Sequence, residues 1–154
     1  MRNISNTLPR QRGAVAVEMA FISIVMFLIA AGLVEFSRAF WYYNALDKAT
    51  RDAARFMSSV PSVAITNSTQ TATAVAIAKS LALITANGAN VSPALTAANI
   101  DIKCDAAACT GAKPANVTVT IVNFSVTLGS LFPFVSVAGG SYGRATFAPS
   151  TTMR

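Results

Sequence analysis

The stretch Arg10-Gln11-Arg12-Gly13-Ala14-Val15-Ala16-Val17-Glu18-Met19-Ala20, continuing in apolar residues to Val34, decides the fold. From Ala14 to Val34 there are 21 residues, and Glu18 is the only charge among them. As a helix rising about 1.5 Å per residue, the run is about 31 Å long, the thickness of a bilayer's hydrocarbon core. It is predicted to cross a membrane once. Arg2, Arg10 and Arg12 precede it with no acidic residue among the first 13. An excess of Arg and Lys marks the cytoplasmic side, so everything after Val34 is expected across the membrane. Glu35 and Arg38 then mark the exit, and Phe36, Phe40, Trp41, Tyr42 and Tyr43 read as an interfacial aromatic belt. Packing between helices is the other reading of those rings, and both stay open.

Glu18 does not suit a passive anchor. An ionisable side chain inside a membrane helix costs roughly 2.5 to 3.5 kcal/mol at the bilayer centre and less near an end, so it usually has a partner. One reading gives Glu18 such a purpose; the other has its carboxylate reaching back to Arg12 or to water. A cleaved secretory signal competes for the whole segment, with Ala30-Ala31-Gly32 as its small-residue site. Two features oppose it: Glu18 would fall inside the signal's apolar core, and helical patterning continues past Gly32 without a turn.

With a basic leader, Gly13 and then Glu18 five residues on, the N-terminus resembles a type IV prepilin processing site. The following run, from Gly32 through Glu35, Arg38, Trp41, Asp47, Lys48, Arg51 and Asp52 to Phe56, is similar to the TadE-like pseudopilins of tight-adherence (Flp) pili. Met19 departs from the pattern, which often has an aromatic residue there. The resemblance implies cleavage between Gly13 and Ala14 by a prepilin peptidase, leaving Glu18 as the fifth residue of the mature chain. It further implies pairing of Glu18 with the terminal amine of a neighbouring subunit, which relieves the penalty on a carboxylate held in low dielectric. The implied partners are the membrane, the peptidase, other pilins or pseudopilins and the pilus assembly machinery. The implied place is the bacterial inner membrane, with a periplasmic or extracytoplasmic domain that enters a pilus or stays at its base.

In a chain of 154 residues, about 40 go to leader and span, and the remainder suffices for one modest domain. The formal charge of +6 overstates basicity. Without Arg2, Arg10 and Arg12 there remain 9 basic and 6 acidic residues, net +3, and no nucleic-acid partner is expected. The organisation expected is a leader over 1–13, a membrane helix over 14–34, an amphipathic helix over 35–60 and a small α+β domain over 61–154.

In the amphipathic part, Asp47 with Arg51 and Lys48 with Asp52 are i,i+4 acid–base pairs, while Leu46, Ala49, Ala53 and Phe56 form an apolar stripe. Pro61 ends the rod. Residues 62–73 read as a polar loop, with Ser68 or Thr69 capping a second helix that runs to about Ala86 and turns Ile77, Leu81 and Ile84 to one face. The alternation in 100–104 predicts a strand. Val117, Val119 and Ile121 alternate in one phase and Phe124, Val126 and Leu128 in the other, which predicts a bulge or break near Val122 and Asn123. Leu131 to Phe134 reads as an apolar turn, Gly139-Gly140 as a bend and Tyr142 to Ala148 as a closing strand. Long helix, helix, then strands makes the fold class α+β, pilin-like, with a small antiparallel sheet on helices.

Cys104 and Cys109 are the only cysteines. In a domain beyond the membrane they are expected to form a disulfide around a short loop. Two thiols without a histidine are too few for zinc, and no metal or cofactor is expected. Asp101 and Asp105 are the only carboxylates beyond the helices; a cation held with nearby carbonyls and a solvated strand-end pair are the two readings. With no general base of the histidine type and no phosphate-binding glycine loop, catalysis is not expected. Two classes remain: a minor pseudopilin-like structural protein, and an unprocessed single-pass membrane protein whose outer domain binds a partner.

Overall fold

A computed structural model describes residues 12–110, 113–129 and 144–154. Its first element is one unbroken helix, α1, Arg12–Ser59, 48 residues and about 72 Å long at 1.5 Å per residue. The predicted span and the amphipathic rod are thus one piece. Pro61 stops it, because a proline ring cannot continue the hydrogen-bond ladder and disfavours helix at the residue before it.

The chain then turns back. Residues 62–73, read from their composition as a loop, are largely helical: α2 spans Ser62–Ile65 and α3 spans Ser68–Gly88. The cap of α3 is Asn67 rather than Ser68 or Thr69; its side-chain Oδ1 accepts from Thr69 N (3.1 Å) and Gln70 N (3.3 Å), two of the orphan donors of the first turn. Thr71 ties the junction together, donating its hydroxyl to Ile65 O at 2.7 Å.

α1 and α3 form an antiparallel hairpin whose seam is built from small side chains. Ala49, Ala53 and Ala54 on α1 and Ala74, Ala78, Ala82 and Ala86 on α3 are buried. The four α3 alanines recur every fourth residue and so share one side of the helix. The face chosen from the sequence is the wrong one: Ile77 and Ile84 point outward, with Ile84 72% exposed. Alanine at each contact lets two helices approach closely, and the bulkier side chains are left outside. Of the two predicted ion pairs on α1, Asp47–Arg51 forms. Asp52 is turned toward α3 instead, where it accepts from the Thr85 hydroxyl at 3.4 Å.

Against this hairpin lies an antiparallel sheet ordered β2-β1-β3-β6, with β1 Ile100–Cys104, β2 Ala107–Ala108, β3 Val117–Ile121 and β6 Ser150–Met153. β4 (Phe124–Thr127) and β5 (Arg144–Phe147) form a separate antiparallel pair. The phase change near Val122 separates the two sheets. Asn123 takes a left-handed φ of 55°, Val122 N donates to Asn99 O at 2.8 Å, and Val119, Ile121, Phe124 and Val126 all reach the core. β6 was not read from the sequence; it is Ser-Thr-Thr-Met, and its buried anchor is a hydroxyl contact, Thr50 to Thr151 at 2.9 Å. The expected turn at Leu131–Phe134 and bend at Gly139-Gly140 lie outside the described residues, as does the start of the predicted Tyr142–Ala148 strand. The architecture is α+β, a long apolar N-terminal helix with a small antiparallel sheet packed on helices.

Candidate functional site: the bare half of α1 and its collar

The first half of α1 has almost no protein around it. From Gly13 to Val34 only Ala31 is buried. This is the single helix among the described residues that is long and apolar enough to cross a membrane. Gly13 sits in its first turn, and a Cβ built there meets nothing within 4 Å. Glycine costs a helix about 1 kcal/mol relative to alanine, and neither close packing nor a left-handed backbone requires it here. Ala14 and Glu18 are both exposed on the helix surface.

The domain closes on the helix at a collar. Arg38 Nη2 donates to Glu35 Oε2 at 2.7 Å and to the Thr127 carbonyl, at the end of β4, at 3.1 Å. Its guanidinium lies 5.9 Å from the centre of the Tyr42 ring. Both charged side chains are largely enclosed, so the pair marking the end of the apolar run faces the domain. A half-buried pair with extra hydrogen bonds keeps its Coulomb attraction while avoiding an unpaired charge beside lipid. Ala31, Glu35, Arg38 and Tyr42 follow each other at spacings of four, three and four, the period of one helix face.

The aromatic residues after Val34 divide in two. Tyr42, 8% exposed, is part of the core beneath Arg38. Tyr43 meets Phe147 edge-on at 5.8 Å, and Phe147 in turn stacks near Phe124 at 6.5 Å. Trp41, though 62% exposed, donates its indole N–H to Ala89 O at 3.3 Å, just past the end of α3. Phe36 and Phe40 are 70% and 59% exposed and stack on each other, ring centres 6.5 Å apart. The collar and the pairing of Phe36 with Phe40 were not anticipated; their signal is the i, i+3, i+4 spacing on two sides of one helix.

At the far end of the domain Cys104 and Cys109 are joined, with S–S 2.06 Å, across the β1–β2 hairpin. The two acidic residues once weighed for a cation are otherwise engaged. Asp105 accepts from Ala115 N (2.9 Å) and Asn116 N (2.8 Å), fastening the next loop to the hairpin, and Asp101 pairs with Lys103 at 3.3 Å.

These features define a pilin-like α+β protein, one whose long N-terminal helix is bare and apolar in its first half and serves as the spine of a small domain in its second. Residues 13–55 match the family model of TadE-like proteins, and over that segment the chain is TadE-like. The match begins at Gly13 and covers the bare half of α1, the collar and the start of the hairpin seam. No curated protein and no solved structure matches the chain.

Proposed function

We propose that the protein is a minor pseudopilin-like structural component for assembly of a tight-adherence pilus, processed after Gly13 by a prepilin peptidase and held in the bacterial inner membrane by the first half of α1. The observation that carries it is the coincidence of the TadE-like match with a bare apolar helix. The start of that helix holds a glycine that the fold does not need and, five residues on, the lone charge Glu18. Processing gives both residues a use: Gly13 as the residue before the cut, Glu18 as the carboxylate that meets a neighbouring subunit's terminal amine. The disulfide supports placing the domain beyond the cytoplasm, where thiols are oxidised, and the leader arginines support the same orientation. The domain serves assembly rather than catalysis.

N-terminal sequencing and intact mass of the protein from its native membranes test the proposal. A chain beginning at Ala14 is expected. The variant Gly13→Leu is expected to remain in the membrane at full length, with processed product lost. A wild-type chain beginning at Met1 would instead favour an unprocessed single-pass protein with an outer binding domain, and one beginning near Glu35 a cleaved signal peptide.

A further inference from the structure

Two stripes run along α1 on different sides. Ala31, Glu35, Arg38, Tyr42, Leu46 and Ala49 face the domain and are buried or half-buried. Glu18, Ile22, Ile29, Leu33, Phe36 and Phe40 form the second stripe, and every one of them is exposed. Glu18 and Phe36 are about five turns of 3.6 residues apart, so the carboxylate lies in line with that ring along the helix. The stripe also outruns the membrane: Phe36 and Phe40 sit about 3 and 9 Å beyond Val34.

Lipid alone does not account for this stripe. Rings at a membrane surface use a polar tip directed to headgroups and water, as tyrosine and tryptophan do. Here those tips are spent on the domain: the Trp41 N–H is on Ala89, Tyr42 is in the core and Tyr43 is against Phe147. The two rings left outside carry no polar atom. At the other end of the same stripe is a carboxylate, which hydrocarbon cannot satisfy.

We infer that this second stripe is the docking face for α1 of another copy of the same chain, packed parallel and displaced along the axis. The inference rests on the membrane-assembly role proposed above and names the partner and the face. Charge selects the partner and the displacement. In register, Glu18 meets Glu18 and the like charges repel. A shift of four to six residues, about 6 to 9 Å, brings a positive group of the second copy level with Glu18. That group is the Ala14 amine in a chain cut after Gly13 and Arg12 in an uncut one, so the chain supplies its own counter-charge in either form. The shifted contact is heterologous: one copy gives its carboxylate and the other its positive end, and a third copy can add in the same way.

Photocrosslinking in native membranes tests it on the full-length chain. A benzophenone amino acid replaces Phe40 and, as a control off the stripe, Ile84; intact mass and the Cys104–Cys109 bond verify folding of each variant. From position 40 we expect a covalent dimer of this chain, absent from position 84. Adding Glu18→Gln is expected to lower the dimer yield by roughly tenfold, the scale of one lost charge pairing in low dielectric. Adducts from position 40 to a different protein, adducts to lipid alone, or a dimer indifferent to Glu18→Gln would each overturn the inference. N-terminal sequencing of the same samples reads the processing proposal separately, so either can fail while the other stands.

Discussion

The two halves of α1 bury opposite kinds of residue. The first half presents large apolar side chains, Phe21, Ile24, Met26 and Phe27 among them, and leaves them exposed. The second half is covered on one side, and much of what is covered there is small: Ala49, Thr50, Ala53 and Ala54. α3 repeats the second pattern, with four alanines inside and Ile77 and Ile84 outside. Hydrophobicity therefore reports the solvent in the first half and says little about the packed face in the second. In the hairpin the deciding quantity is volume, because a close-packed seam has room only for the residues that fit it.

The difference can be broken by adding volume to each half. Ala78→Leu inserts three carbons into the α1–α3 seam and is expected to destabilise by about 1–3 kcal/mol, read as a lower thermal midpoint of the full chain in detergent micelles. Ala20→Leu adds the same atoms to the bare half, where Ala20 is exposed, and should leave that midpoint unmoved. Equal responses from the two variants would show that the seam is not tightly packed. A smaller effect is expected at the helix–sheet contact. Thr50→Val removes the hydroxyl that meets Thr151 at 2.9 Å and should cost about 1 kcal/mol, with β6 amides exchanging faster than those of β1. The smallest is at the outer face of α3: Ile84→Ser should change stability by no more than about 0.5 kcal/mol. A larger loss there would mean that the isoleucine face is covered by something beyond this chain.

How much could be read in advance follows from the same contrast. The span, the stop at Pro61, strands β1 and β3, the break at Asn123 and the disulfide all rest on local signals: length of an apolar run, ring chemistry, alternation and the cysteine pair. The buried face of α3 does not, since alanine is equally at home on an exposed helix face and in a tight seam. β6 was missed because Ser150, Thr151 and Thr152 carry no apolar alternation; the strand exists through pairing with β3 and the Thr50 contact, both distant in sequence. At the candidate site Gly13, Ala14, Glu18, Glu35, Arg38 and the aromatic residues were all singled out, but not that the Glu35–Arg38 pair would be closed over by β4. That closure depends on Thr127, 89 residues further along the chain.

The unbroken course of α1 has a mechanical consequence. Hinges in long helices arise at proline, at glycine–serine pairs or at bulges, and none interrupts the helix between Gly13 and Ser59. Just beyond the bare half, the Arg38 contacts to Glu35 and Thr127 clamp the domain to the shaft on one side. Axial pull or torque applied to the domain is thus delivered directly to the embedded segment, with no swivel to dissipate it. The azimuth at which the domain meets its surroundings is fixed by how the helix is rotated in the bilayer, so turning one turns the other.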